Sequence, residues 1–152
     1  MTEMRAGTRS YPERLPGLLL VLRLSCAVFF LQWGVEKLVD PDRTVRIFAY
    51  FYFSEIPSQI VPAMGILQLL LVAAFAMGYR KTLSYGAFLV MHTMSVLVTW
   101  RELLHPFEPD THNHVFLTAA PVLAALWLLF SLREHDTLMA VDALRAQSGS
   151  AP

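Results

Sequence analysis

The stretch PGLLLVLRLSCAVFFLQWGVEKL, residues 16–38, is apolar along most of its length and decides the fold. An α-helix rises about 1.5 Å per residue, so a stretch of this length can cross the roughly 30 Å hydrocarbon core of a bilayer. Three more apolar windows follow at residues 60–79, 83–104 and 114–132. Backbone amide groups must be paired in lipid, which makes each window a helix. The sequence therefore predicts an all-α fold, a bundle of four transmembrane helices.

Composition supports a membrane class over a soluble one. Hydrophobic residues make up 55% of the chain and charged residues only 16%, whereas a soluble domain carries about 25% charge. A secretory signal peptide does not explain the first window, because the apolar run is too long and no small-residue cleavage site follows it. The net charge of zero gives no reason to expect nucleic acid as a partner.

The distribution of basic residues orients the predicted bundle. Loops with more Lys and Arg stay in the cytoplasm, so both termini are predicted to be cytoplasmic in a multi-pass protein of the inner (cytoplasmic) membrane. The sequence divides into a tail at residues 1–15, a membrane domain at 16–135 and a tail at 136–152. The basic residues on the terminal side are Arg5, Arg9, Arg14, Arg80, Lys81, Arg133 and Arg145, and those on the opposite side are Lys37, Arg43, Arg46 and Arg101.

The single cysteine, Cys26, limits the redox chemistry that the chain can perform alone. A dithiol reaction needs two thiols, so disulfide exchange within this chain is excluded. Cys26 is predicted to be a small packing residue of the first helix.

The third window places its polar side chains on one helical face. Five polar residues and one phenylalanine recur at steps of three and four residues, the spacing of neighbours on a helix, and they are Ser84, Phe88, His92, Ser95, Thr99 and Glu102. The helical rise places His92 and Gln68 near the middle of the bilayer on consecutive helices. We therefore predict a hydrogen bond between Gln68 and His92.

A charged layer is predicted at the outer end of the bundle. Glu36 and Lys37 end the first window at the depth where Arg101 and Glu102 end the third, and His114 opens the fourth window at this level. Two interpretations remain open: a ligand or proton-handling site, and a network of interfacial salt bridges that fixes the helix register.

The loop HPFEPDTHNH, residues 105–114, has the composition of a transition-metal site. His112, His114 and Asp110 are the candidate ligands for zinc or copper. The alternative is a solvated loop that caps the last helix. A single haem held by His92 and His114 is disfavoured, because these residues differ in predicted depth by about 13 Å of helix.

Arg23 lies on the cytoplasmic side of the first helix's centre, and no acidic residue within the four windows matches its depth. It is expected to snorkel toward the cytoplasm or to cap a backbone carbonyl. The alternative is that it holds an anionic or carbonyl group of a ligand between the helices.

Aromatic residues crowd the segment RIFAYFYFSEIPSQ, residues 46–59, between the first two windows. Such a composition is typical of an interfacial belt or of a short helix lying in the membrane plane. An aromatic lid over a quinone-like ring would have the same composition.

Two stretches resemble the DoxX-like family of small membrane proteins. RLSCAVFFLQWGVEKLVDP, residues 23–41, is similar to the opening helix of that family, with its arginine and a G-x-x-K-L signature in Gly34, Lys37 and Leu38. GILQLLLVAAFAMGYRKTLSYGAF, residues 65–88, resembles the second helix and the following turn.

The resemblance covers residues 16–135 and implies a four-helix integral membrane protein. It also implies association with quinone-linked or oxidative-stress redox systems. The family usually has Glu at the position of Gln68, and a neutral amide cannot accept a proton, which argues against a proton relay at this depth.

The function that these observations favour is a small subunit or accessory of a redox system. The sequence does not identify a cofactor, and a quinone and a transition metal are the two candidates for a site near the outer face. The side chains assigned to proton handling are Glu36, Glu102 and His114. Lys37 and Arg101 are assigned to balance charge, and Gln68 and His92 to hydrogen-bond a carbonyl.

The expected partners are the lipid bilayer and either a second membrane protein or further copies of this chain. The alternative function is a purely structural or assembly subunit, in which the same polar residues pin the helix register. The sequence leaves open whether the protein is an enzyme.

Overall fold

Helices are the only regular secondary structure in the residues that the structure, a computed structural model, describes, namely 11–105 and 114–149. The all-α class predicted from the sequence is therefore confirmed. Short 3₁₀ turns, Ser58–Ile60 and His114–Thr118, precede two of the helices. The α-helices are α1 (Tyr11–Val39), α2 (Pro41–Phe51), α3 (Val61–Ala76), α4 (Lys81–Val98), α5 (Trp100–Leu104), α6 (Ala119–Ser131) and α7 (Val141–Gly149).

Two helices in the described part of the chain are long and apolar enough to cross a membrane. They are Glu13–Val39, in α1, and Ser58–Ala76, which contains α3. The helix Phe116–Ser131 is equally apolar but shorter. The bundle of four transmembrane helices remains a prediction at this stage.

The sequence predicts one continuous helix for the third window, but the structure divides it into two. Its helix stops at Val98 and resumes as the short α5 at Trp100. The hydroxyl of Thr99 donates to the backbone oxygen of Ser95 at 2.8 Å. Such hydroxyl bonds compete with the helical ladder and bend helices. The third predicted window is thus divided into α4 and α5.

Helices α1 and α3 pack closely because glycines face each other across their contact. A Cβ added to Gly65 would lie 2.9 Å from the Cβ of Lys37 and 3.1 Å from the backbone oxygen of Gly34. Small residues at such positions let helix backbones approach, as in membrane helix pairs.

An aromatic column forms the centre of the core. The rings of Phe30 and Phe88 stack with centroids 4.4 Å apart, and Phe75 meets Phe88 edge-on at 5.2 Å. Helix α6 closes this core with Leu126 and Leu129, which are both buried. The core therefore joins α1, α3, α4 and α6, the four predicted spans.

The outer surface of these four helices is apolar. Large aliphatic and aromatic side chains are exposed on each of them, among them Leu18, Val21, Val28, Leu67, Leu70, Leu83, Val90, Leu97, Trp127 and Leu128. Several polar side chains are buried instead, namely Arg23, Gln68, Ser84, His92 and Asp136. A soluble domain rarely exposes so much contiguous apolar surface, whereas lipid favours it.

The aromatic segment begins as helix α2, which the Asp40 side chain caps by accepting from the backbone N–H of Arg43 at 3.1 Å. The rings of Phe48 and Tyr52 stack at 4.8 Å. Phe53 follows the helix with a φ of 50° and an exposed fraction of 92%. The short helix predicted here is therefore present, and its position in the membrane plane stays a prediction.

Candidate functional site

The acidic and basic residues at the end of α1 pair with close sequence neighbours. Arg43 Nε lies 2.7 Å from Glu36 Oε1. This oxygen accepts no hydrogen bond from the described residues, so its contact with Arg43 is an ion pair only. Lys37 Nζ donates to the backbone oxygen of Trp33 at 3.2 Å. Each charge therefore already has a partner on α1 or α2.

The other members of the predicted outer layer do not join them. Arg101 is exposed, with its guanidinium carbon 5.6 Å from the centroid of the Trp100 ring, and Glu102 is half-buried. Among the described residues, no ion pair connects Arg101 or Glu102 with the charges of α1. The side chain of His114 lies outside the described part of the chain. The layer as a ligand or proton site stays a prediction.

The hydrogen bond predicted between Gln68 and His92 is not formed. Gln68 Nε2 donates to the backbone oxygen of Phe30 at 3.1 Å, across the α1–α3 contact. His92 Nε2 lies 3.0 Å from the backbone oxygen of Ala119, across the α4–α6 contact. Similar predicted depth does not determine how each helix is rotated about its axis, and the two side chains face different neighbours.

The bond to Ala119 fixes the tautomer of a neutral His92. A carbonyl oxygen can only accept, so Nε2 must carry the hydrogen and Nδ1 is left as an acceptor. The Phe29 and Phe30 rings meet this imidazole edge-on, with centroid distances of 6.0 and 5.7 Å. The His92 ring is thus packed against two aromatic rings and keeps one nitrogen acceptor.

The metal site predicted in the loop cannot be located, because His112 and Asp110 fall outside the described residues. In the ranges 11–105 and 114–149, no group of three or more His, Cys, Asp or Glu side chains is placed to hold a metal ion. The zinc or copper site therefore stays a prediction.

The best-defined polar cluster lies at the opposite end of the bundle and is centred on Arg23. Its Nη1 donates to Asp136 Oδ2 at 2.9 Å, and both side chains have an exposed fraction of 0%. Tyr85, on α4, donates its hydroxyl hydrogen to the same carboxylate oxygen at 2.6 Å. We call Arg23, Tyr85 and Asp136 the buried triad.

Arg23 also caps the chain that follows Asp136. Its Nη2 donates to the backbone oxygens of Leu138 and Met139 at 2.9 and 3.2 Å. Capping of a carbonyl was one expectation for this arginine, and it is confirmed. Snorkelling is not observed, because the guanidinium is fully buried.

Residues 134–142 form a segment that crosses the end of the bundle and is fixed at several points; we call it the C-terminal strap. Val141 N donates to the backbone oxygen of Met77 at 3.0 Å. Gly78 has a φ of 60°, and a Cβ there would lie 2.9 Å from Arg23 Nη1 and from Ala140 Cβ. Only glycine fits this conformation and this space without strain.

Asp142 and Lys81 fix the strap from either side. The carboxylate oxygens of Asp142 accept from the backbone N–H groups of Arg80 and Lys81, each at 2.9 Å, and so cap the start of α4. Lys81 Nζ donates to the backbone oxygens of Arg133 and Asp136 at 2.7 and 3.1 Å. Three elements of the bundle therefore hold the strap by polar contacts.

The charges of the buried triad balance, which limits its chemistry. One guanidinium and one carboxylate neutralise each other, and the pair has no exposed surface. Arg23 Nε and Asp136 Oδ1 are buried without a hydrogen-bond partner among the described residues. The triad can close the bundle end and hold the strap, with one donor and one acceptor left over.

Sequence reasoning missed two members of the triad. Arg23 stands out in the sequence because no acidic residue within the four apolar windows matches its depth. Asp136 stands 113 residues away from Arg23, just beyond the last window. The available signal was an acidic residue close to the end of a predicted span, at the cytoplasmic depth of an unpaired arginine.

A helical chain with an apolar exterior and buried, paired charges is typical of helical membrane proteins. The DoxX family model matches residues 18–102, more than half of the chain. The chain therefore belongs to the DoxX family and is a membrane protein. Neither the curated proteins nor the solved structures contain a match to it. The matched range includes Arg23 and Tyr85 and ends before Asp136.

Proposed function

We propose that this protein is a multi-pass subunit or accessory of a redox system in the cytoplasmic membrane, quinone-linked or engaged in the response to oxidative stress. Helices α1, α3, α4 and α6 cross the membrane, and both termini lie in the cytoplasm. The observation that carries the proposal is that these helices expose apolar side chains and bury polar ones, in a chain of the DoxX family.

Each of the four helices supports this topology in the same way. Their outward side chains are large and apolar, while Arg23, Gln68 and His92 point inward and find partners on other helices or on the C-terminal strap. Polar groups in lipid are costly unless they are paired within the protein. Helix α6 is short for a span, and its 3₁₀ turn, His114–Thr118, lengthens it toward the outer face.

A reporter enzyme that folds only outside the cytoplasm tests this topology. Alkaline phosphatase fused after Ser54 is expected to be active, since this position lies between α2 and α3 on the outer side. The same fusion after Tyr79 is expected to be inactive, since the turn between α3 and α4 is cytoplasmic. Equal activity of the two fusions would overturn the proposed crossing of α3.

The proposed ligand is a quinone-type ring that binds beside His92. Phe29, Phe30 and His92 offer ring edges and a single nitrogen acceptor. An acceptor at Nδ1 matches the hydroxyl of a hydroquinone better than the carbonyl of a quinone. This differs from the sequence-based assignment, in which His92 and Gln68 both bonded a carbonyl. Glu36, Glu102 and His114 retain the proposed proton-handling role toward the outer face.

Extraction of bound quinone tests this site. Protein purified in mild detergent is analysed for extractable quinone in the native form and in His92→Gln, with His135→Gln as the control at an exposed histidine. We expect the first variant to lose most of the bound quinone and the control to keep it. Equal quinone content in all three proteins would exclude His92 from the site.

A structural or assembly subunit is the second candidate, and one observation favours it. The described donors of Gln68 and His92 are directed at backbone oxygens of neighbouring helices, as expected for pins that set the helix register. Native purification distinguishes the candidates. Co-purified redox subunits together with quinone support the first, and a chain that retains protein partners but no quinone supports the second.

A further inference from the structure

We propose that Arg80 and Arg145, which both contact the ring of Tyr79, bind the phosphate headgroup of an anionic membrane lipid. The site lies at the bundle end that holds the buried triad, beside the turn between α3 and α4. The proposal rests on the proposed function in one respect, namely that α3 and α4 cross the membrane and place this turn at a lipid surface.

Two cations share one aromatic ring at this site. The guanidinium carbon of Arg145 lies 4.8 Å from the centroid of the Tyr79 ring, and that of Arg80 lies 5.7 Å from it. Cations favour the face of such a ring, although two of them in one place repel each other. In the described ranges of the chain, neither guanidinium has an acidic side chain as its partner. The pair therefore offers a concentrated positive charge to an anion.

The backbone holds these arginines in position without help from a ligand. Arg80 adopts a φ of 45°, and its N–H is bonded to the Asp142 carboxylate. The same carboxylate belongs to the first turn of α7, which carries Arg145 three residues further on. Asp142 thus clamps α7 against the turn and brings both guanidinium groups to the same ring.

Neighbouring charges do not compete for the anion. Lys81 is committed to two backbone oxygens, and both oxygens of Asp142 accept from the start of α4. The N-terminus of α4 is therefore already capped by the Asp142 carboxylate. A phosphate would instead contact the two guanidinium groups, whose donors match phosphate oxygens well.

The surroundings favour a lipid over a free phosphate. A shallow groove beside the site is lined by Arg80, Lys81, Thr82, Leu83 and Asp142. Leu83 and Leu144 are each exposed by 63%, and Met77 is also exposed. These side chains continue the apolar outer surface of α3 and α4 toward the arginines. An acyl chain can follow this surface while the phosphate stays at its edge.

The test compares lipid headgroups on the full-length protein in detergent. The apparent affinity is read from the rise in melting temperature during titration with phosphatidylglycerol or with phosphatidylcholine of the same acyl chains. One arginine near a charged lipid surface contributes about fivefold in affinity, so the native protein is expected to prefer phosphatidylglycerol by about 25-fold. Arg80→Gln/Arg145→Gln should abolish this preference, and each single variant should keep about fivefold.

The matched control is Arg43→Gln/Arg46→Gln, which removes the same charge at the other end of the bundle and should keep the full preference. Equal losses in the two double variants, or no headgroup preference in the native protein, would overturn the site. The same stabilisation by inorganic phosphate alone would overturn the lipid as its ligand. A chain that stays soluble without detergent would instead overturn the membrane-spanning topology.

Discussion

The pairing of Arg23 with Asp136 is the strongest single-residue feature of this molecule. Both groups are fully buried, so their charges depend on each other and on Tyr85 for compensation. Removing one member of a buried pair is costly because it leaves the other charge without a partner. The sequence marked Arg23 as unusual but could not identify its partner, since no periodicity relates residues on different helices.

Asp136→Ala is expected to lower the free energy of unfolding by about 3–5 kcal/mol. The reason is the uncompensated guanidinium of Arg23 in a space that excludes water. Thermal or denaturant unfolding in detergent measures the loss, with Glu134→Ala as the control at an exposed acidic residue of the same segment.

The paired replacement Arg23→Met/Asp136→Leu separates charge from packing. It should be more stable than Asp136→Ala, because both charges are removed together. If the free energy of unfolding of Asp136→Ala lay within about 0.5 kcal/mol of the native value, as for an ordinary surface substitution, the buried triad would have no role in stability.

At the scale of elements, the hydrophobic windows predicted most helices well. The first window, residues 16–38, lies within α1, and the second, residues 60–79, contains α3. The third departs from a single helix at Thr99, where φ is −100° and ψ is 16°, and hydrophobicity gives no sign of this break. The close α1–α3 contact at Gly34 and Gly65 could not be predicted, since a sequence gives no distance between backbones.

Gly65→Ala is expected to destabilise the α1–α3 pair by about 1–3 kcal/mol, the usual cost of overpacking. The added methyl group would collide with Lys37 Cβ and with the backbone oxygen of Gly34. Gly17→Ala is the control, since its methyl group would meet only Leu138 Cδ1, at 4.0 Å. Melting temperatures in detergent check both variants, and equal effects would show that α1 and α3 can separate at little cost.

At the scale of the whole molecule, one end of the bundle is closed by a segment that the sequence assigned to a tail. Residues 136–142 supply a carboxylate to Arg23, a cap to α4 and backbone contacts to α3. Hydrophobicity could not reveal this role, because the segment is too short for a span and its partners are buried charges and backbone groups. The outer site was predicted from equal depth alone, and equal depth does not ensure that the side chains are in contact.

A chain truncated after Arg133 is expected to be less stable than Asp136→Ala. It loses the carboxylate of Asp136 and also the α4 cap from Asp142. A chain truncated after Ala146 keeps these contacts and serves as the control. Thermal unfolding and yield after detergent extraction are the measurements, and equal stability of the two truncated chains would mean that the strap contributes nothing.

The distance in sequence between Arg23 and Asp136 also sets an order of events during synthesis. A ribosome adds about 5–20 residues per second, so the 113 residues between them require roughly 6–23 s. For that interval, the first helix is in place while its guanidinium still lacks a counter-charge. We expect the nascent chain to keep this end of α1 close to the aqueous boundary or to its insertion machinery. Closure of this end of the bundle then waits until Asp136 has left the ribosome.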